Sequence, residues 1–444
     1  MDSLIIIGGG LAGSEAAFQA GIRGVNVILY EMRPLKFTPA HKTQYLSELV
    51  CSNSLRSNTL ESAPGLLKKE LSLAGSLIME AAYKTMVPAG SALAVDREAF
   101  SKYITDKLVS MPNINIIRQE VSSIPDTLSI IATGPLTSEP LAQQLLKIIG
   151  GEHLYFYDAI APIIDGSSID YDKTFFSSRY DKGDADYLNC PMERAQFDSF
   201  YDALAQADMV TAKEFEDKKI FEGCMPIEVM AQRGRDTMRF GPLKPVGLKS
   251  PKTGKIYYAV VQLRAENAAR TSFNMVGFQT RLKQPEQCKV FKMIPGLEDA
   301  RFLRYGSIHR NTFINSPMQL SKGLTLKNHD STMIAGQITG VEGYIESTAM
   351  GLIAGIFAVN ILKGGTITQP SQNTAHGALI NYITTKARKD FQPSNINFGL
   401  FPELEQQIKD KQMKKEAIVK RAIADWRVFL NENAYYRVPA SPEN

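Results

Sequence analysis

The sequence predicts an α/β protein in which a Rossmann-like dinucleotide-binding domain, discontinuous in the chain, carries an inserted α+β domain. Three observations predict it. A glycine turn follows an apolar strand at the N-terminus, a second strand ends on an acid at the spacing such turns use, and a strand, glycine turn and helix return late in the chain.

The first element is the apolar run at residues 4–7, followed by Gly8, Gly9, Gly10, Leu11, Ala12 and Gly13 and then a helix-favouring stretch. Gly8, Gly10 and Gly13 fit G-x-G-x-x-G. The first glycine permits the tight turn, the second lets a pyrophosphate approach the backbone, and the third packs helix against strand. The phosphates then meet the free amides and positive dipole of the helix start. Residues 25–30 form the second apolar strand, and Glu31 stands 18 residues beyond Gly13, where an acid binds a ribose hydroxyl pair. An acid there favours FAD or NAD over NADP.

Residues 32–62 show no clear periodicity and contain His41 and Cys51; long connections of this kind are usually functional. Residues 65–85 have helical period, and residues 95–100 open another helix. Strands follow at residues 114–118 and 128–132, the latter running into Gly134, whose missing side chain would let backbone approach the dinucleotide. From residue 151 the character changes to aromatic strands (154–160, 257–263), a helix near 193–207 and proline-rich loops. After residue 304 the nucleotide-fold pattern returns. Residues 331–344 read as a strand, a glycine turn with Gly336 and Gln337, and a helix from about residue 345, whose start would face a flavin pyrimidine where charge develops on reduction. The expected division is therefore residues 1–150 with 305–444 as the cofactor-binding domain, and 151–304 as the inserted substrate domain.

Length and composition agree with this. A chain of 444 residues is too long for one compact core, and 44% hydrophobic with 22% charged residues is ordinary for a globular protein. The net charge of +4 permits an anionic partner without requiring one. No signal peptide is read at the N-terminus. The longest apolar run, 349–362, is interrupted by glycine and Asn360 and suits a buried helix better than a membrane span. Four widely spaced cysteines give neither a disulfide framework nor metal-ligand pairs, which points to a reducing cytoplasm and no metal.

Two constellations carry chemistry. Cys224 sits in a glycine-proline loop with Glu222 and Glu228 beside it and Arg233, Arg235 and Arg239 downstream. Nearby cations lower a thiol pKa and make the reactive thiolate, although a buried inert thiol fits the same residues. Cys51, in the polar loop after the glycine unit, could reach an isoalloxazine ring, which spacing alone does not establish. Cys190 and Cys288 read as structural, and His41 and His309 as hydrogen-bonding residues in polar loops. Residues 409–421 carry six basic residues, including Lys414, Lys415 and Arg421, against Asp410 and Glu416. That stretch is either a solvated helix face or a phosphate-contacting helix.

Five runs carry a family resemblance: GGGLAGSEAA at 8–17, ELVCSNSLRS at 48–57, FEGCMPIE at 221–228, RFGPLKPVG at 239–247 and NFGL at 397–400. Together they resemble the TrmFO family, the folate- and FAD-dependent tRNA (uracil-5-)-methyltransferases related to the GidA flavoproteins. The resemblance implies an FAD-binding domain of the GidA and glutathione-reductase type. It implies 5,10-methylenetetrahydrofolate as carbon donor, NADPH or NADH as reductant of the flavin, and 5-methyluridine at tRNA position 54 as product. By motif, Cys224 would add to carbon 6 of the uracil, and Cys51 would act by the flavin as general base or guarding thiol. Arg233, Arg235, Arg239 and the basic C-terminal helix would hold RNA phosphates, with Gln232 removing one positive charge where the family's run has arginine. The target base would leave its stack to reach such a site. The same motifs fit a branch acting on 23S ribosomal RNA, and the glycine turn alone also fits an FAD-dependent oxidoreductase of a small metabolite. No obligate protein partner is evident.

Overall fold

The computed structural model describes residues 3–150, 154–181, 185–210, 225–385 and 391–433. Its first layer is a six-stranded sheet in the order Thr325–Leu326, His329–Ile334, Ser129–Ile131, Leu4–Ile7, Val27–Glu31 and Ile114–Arg118. All neighbours are parallel except the edge strand Thr325–Leu326. Leu4, Ile6, Leu29, Ile130 and Ile334 are fully buried, as expected where a parallel sheet is covered on both faces. The two late strands thus join the sheet of the glycine turn although some 300 residues separate them from it in the chain.

Helix Leu11–Gly21 follows the turn and is buried along its whole length. It lies against helix Tyr344–Leu362, where Gly351 packs on Ala12 and Gly355 on Ala16 so closely that a methyl group at either glycine would strike the opposing backbone. Helix Tyr344–Leu362 is long and apolar enough to cross a membrane, but 89% of that stretch is buried inside the protein. Its apolar surface on every side is accounted for by protein packing rather than by lipid.

The second core lies in an antiparallel sheet ordered Phe175–Phe176, Tyr187–Met192, Ala259–Ala265, Ser272–Met275, Ile163–Asp165 and Phe302–Arg304. Helices Arg194–Gln206 and Gln284–Phe291 cover it with Phe197, Phe200 and Phe291. Strands Leu154–Ile160 and Ser307–Phe313 pair antiparallel, so the chain enters and leaves this region as a two-stranded ribbon.

Two local expectations change. The helical period over 65–85 becomes two helices, Ala63–Leu73 and Leu77–Lys84. Gly75 takes the left-handed conformation and Ser76 caps the second helix through its hydroxyl, which a periodicity of apolar residues does not register. The unpatterned segment 32–62 contains a strand, Ser54–Ser57, whose partner is Ala92–Val95. The C-terminal helix runs over Lys411–Glu432 with Asp410 as its N-cap. Ile418, Ala422, Trp426 and Phe429 dock it, Trp426 donating its indole N–H to the Glu70 carbonyl at 2.7 Å and stacking on His376 at 4.1 Å.

Candidate functional site

The glycine turn opens onto a cleft of about 1020 Å³ that also reaches Glu31, Gly134, Gly336, Gln337 and Tyr344. Gly8 has φ +105°, and a side chain there would strike the backbone of Ala132; at Gly13 it would strike the Gly8 carbonyl. Gly10 and Gly134 face the other way. A side chain at either would meet nothing within 4 Å, so bare backbone forms the cleft wall. No side chain caps helix Leu11–Gly21 at Gly10, and its first amides and dipole are left for a ligand. These are the features a dinucleotide pyrophosphate requires, and the residues present fit FAD. Gly336, at φ +83°, brings the late strand's turn against Ala12, while Gln337 is oriented by a 2.7 Å bond to Glu342.

At the acid end, Glu31 accepts the Gly9 N–H at 3.0 Å and the Arg33 Nε–H at 2.9 Å. Burial alone would raise its carboxyl, but the bonds and charge of Arg33 with the two backbone N–H groups hold it below the ordinary carboxylate value. Arg33 also reaches Glu48 at 3.2 Å, and Glu48 in turn accepts the N–H and hydroxyl of Thr43. His41 closes the group through a 2.6 Å bond to Thr38; burial, then the charge of Arg33, pushes its pKa down to about 4. Arg33, Glu48 and His41 line the cleft beside Glu31. The sequence marked this loop only as long and without periodicity, because which charges meet across a loop has no periodic signature.

At the other end the Cys51 loop is suspended between three segments. The Cys51 N–H donates to the Tyr344 hydroxyl at 2.7 Å, and its carbonyl accepts Arg304 at 2.9 Å and Arg97 at 3.4 Å. Arg304 also holds the Val50 carbonyl and Arg97 that of Leu49. Arg97 is fixed in turn by Glu266 at 2.6 Å. The Cys51 side chain lies within electrostatic reach of Arg97, Arg304 and Tyr344. Burial pushes the Tyr344 phenol well above its usual value, so it stays neutral. Val50 and Tyr344 line the cleft, so this loop borders the same cavity as the glycine turn. Arg97 was visible in the sequence only as a residue opening a helix; its role depends on a partner 169 positions away.

The other expected residues are spread more widely. Cys224 and Glu222 lie outside the described residues. Glu228 is buried and accepts the Thr280 hydroxyl at 2.8 Å and the Arg281 N–H at 2.9 Å, which makes it a structural anchor for the first turn of helix Ile227–Gln232. Arg233 is exposed. Arg235 pairs with both Asp198 and Asp202 and stacks on Tyr201, and Arg239 stacks on Tyr258 at 4.0 Å beside Asp236. Much of the charge expected to face RNA at these two residues is therefore balanced within the protein. Lys414 and Lys415 stand exposed on the first turns of the C-terminal helix, whereas Arg421 gives its guanidinium to the carbonyls of Pro402 and Glu403. Cys190 is buried, with its thiol pushed up by desolvation, and Cys288 meets the Tyr305 hydroxyl at 3.3 Å. Of His309 only the strand that contains it, Ser307–Phe313, is described.

The family model described as glucose inhibited division protein A matches residues 3–366. The structure of GidA from Aquifex aeolicus is similar at a TM-score of 0.70 and 16% identity, covering 98% of this chain and 74% of that one. The fold and its cleft define a flavoprotein of the GidA type. Within that class, the methylenetetrahydrofolate-tRNA-(uracil-5-)-methyltransferase TrmFO of Listeria monocytogenes is 57% identical over 421 residues, 95% of this chain and 97% of the relative. The enzyme of the same name from Moorella thermoacetica is 54% identical over 426 residues, 96% of this chain and 98% of the relative. The chain belongs to the TrmFO family.

Proposed function

We propose that this protein methylates carbon 5 of a uracil in tRNA, with uridine 54 of the T-loop as the target and the cytoplasm as the place of work. The observation that carries the reading is the Cys51 loop, held by Arg97, Arg304 and Tyr344 at the rim of a cleft shaped for a dinucleotide. The TrmFO relatives, matched along nearly their whole length, supply the substrate class.

In this reading Gly8, Gly9, Gly10, Leu11, Ala12, Gly13 and Glu31 hold FAD, with Gly134, Gly336 and Gln337 along its length. FAD, reduced by NADPH or NADH, supplies the electrons that convert a methylene carbon from 5,10-methylenetetrahydrofolate into a methyl group. The Cys224 thiolate forms a bond to carbon 6 of the uracil, which makes carbon 5 nucleophilic toward the methylene carbon. Once carbon 5 has bonded to the methylene carbon, Cys51 takes the proton from carbon 5 and the bond from the methylene carbon to the folate nitrogen breaks, releasing tetrahydrofolate and leaving an exocyclic methylene. The hydride equivalent that reduced FAD would supply then makes it a methyl group as the bond from carbon 6 to Cys224 breaks and the ring is restored. Arg97 and Arg304 hold the loop that presents Cys51. Arg233, Lys414 and Lys415 contact phosphates, and residues 151–304 act as one inserted unit that presents the RNA to the cleft.

The test is to incubate the purified chain with FAD, NADPH, methylenetetrahydrofolate and an unmodified tRNA transcript and to map 5-methyluridine by mass spectrometry. We expect modification at uridine 54 and none with Cys224→Ala, which should retain its flavin. Methylation of a 23S ribosomal RNA fragment but not of tRNA would overturn the substrate, and full activity of Cys224→Ala would overturn the nucleophile.

A further inference from the structure

Residues 233–256 carry seven basic side chains against a single acid, Asp236. The same segment leaves apolar side chains in solvent: Phe240 is 74% exposed, Val246 48% and Ile256 62%.

The loop that presents Phe240 and Val246 is firmly held. Leu243 and Leu248 are buried beneath it. The Leu243 N–H bonds back to the Met238 carbonyl at 3.0 Å, and the Leu243 carbonyl accepts the Val260 N–H at 3.1 Å. From a separate segment, Tyr180 donates its N–H to the Gly247 carbonyl at 2.8 Å, and Arg179 donates to the Val246 carbonyl at 2.9 Å. The Tyr180 ring occupies the space a side chain on Gly247 would need, and this ring is itself half in solvent. The charges divide in the same way. Arg235, Arg239 and Lys255 are paired with carboxylates, whereas among the described residues neither Lys244 nor Lys249 has an ion-pair partner.

We propose that this loop is a stacking platform for an unpaired RNA base, with Phe240 against the base and Lys244 and Lys249 on the flanking phosphates. The inference rests on the tRNA reading above and adds the element that receives a neighbour of the target nucleotide. Helix Arg235–Phe240 packs on helix Ile227–Gln232, whose first residue follows Cys224 by three positions in the sequence. RNA suits the surface better than protein. Lysine is depleted where proteins meet, while aromatic rings beside uncompensated cations are what single-stranded nucleic acid requires. Loops, whose bases are free to splay out, are the part of RNA such a surface takes.

The test measures binding of an unmodified tRNA transcript to the full-length FAD-loaded protein by fluorescence anisotropy across a salt series. Phe240→Ala should weaken binding about tenfold, Phe240→Trp should restore it, and Phe240→Leu, apolar but without a π face, should stay weak. The double variant Lys244→Ala, Lys249→Ala should reduce the slope of log Kd against log salt by roughly 1 to 2. Unchanged flavin absorbance in each variant establishes that the fold is intact. Wild-type affinity in Phe240→Ala, or full recovery in Phe240→Leu, overturns the platform while leaving the tRNA reading in place. A wild-type protein that binds no tRNA overturns both.

Discussion

His41 illustrates how one side chain takes its chemistry from its neighbours. Half-buried beside Arg33, it has a pKa of about 4 in the folded protein against an ordinary 6.5, with Glu48 and Glu31 opposing the shift. A lowered folded pKa means the unfolded chain binds the proton first as pH falls. The resulting stability is complete above pH 6.5 and is lost between 6.5 and 4, up to about 3 kcal/mol. Urea unfolding at pH 7.5 and pH 4.5 checks this: the drop in wild-type stability should exceed that of His41→Asn by a sizeable part of that amount. Equal drops would remove His41 from the account. Glu31 is shifted in the same direction, its carboxyl held below the ordinary value, so it too loses its contribution only in acid.

At the scale of elements, the decisive contact is between helix Leu11–Gly21 and helix Tyr344–Leu362. Gly351 and Gly355 let the second helix press on Ala12 and Ala16, and Ala12 is itself part of the cleft wall. Helix propensity favours alanine over glycine by about 1 kcal/mol. A methyl group at Gly351 meets backbone that has no rotamer to relax into, and overpacking of this kind costs about 1–3 kcal/mol. Gly351→Ala should therefore lower the thermal midpoint and weaken flavin retention, despite its better intrinsic propensity; a raised midpoint would show that the helices can separate at little cost. The C-terminal helix has a different logic. Trp426, His376 and Glu70 anchor its second half, while residues 411–416 remain solvent-exposed and carry Lys411, Lys414 and Lys415 outward. The helix is thus fixed at one end and displays its lysines at the other.

Across the whole molecule, two cores meet at the Cys51 loop. Arg97 from the first region pairs with Glu266 of the second, and Arg264 of the second holds Asn53, whose amide also binds Val95 and Ala265. Arg304 crosses in the same direction to the carbonyls of Val50 and Cys51. The loop that carries a proposed catalytic thiol is thus also the joint between regions. Arg97→Met leaves Glu266, 6% exposed, without its partner, and removing one member of a buried pair costs about 3–5 kcal/mol. Denaturant unfolding should show a loss near the lower end of that range, since Arg97 keeps 17% exposure, together with reduced methyl transfer at full flavin content. Normal stability and turnover would mean the two regions are held elsewhere.

Much of the fold was readable because its signals are local. The glycine spacing, the acid after the second strand and the returning strand and turn near residue 336 each depend on a few adjacent residues, since tight turns and buried parallel strands restrict side chains position by position. The two cysteine runs were equally readable as short motifs. What the sequence by itself determined is the α/β class, the strand, glycine turn and helix that open the chain, and the family. Only the tertiary structure decided which charges meet. It set Arg33 between Glu31 and Glu48, turned Arg235 and Arg239 toward carboxylates of their own domain, gave Arg421 to a loop, and brought Arg97, Arg304 and Tyr344 to Cys51. Such encounters join residues far apart in the chain, and neither periodicity nor propensity records them, because the energy of an ion pair or hydrogen bond depends on distance in space and on burial rather than on separation along the sequence.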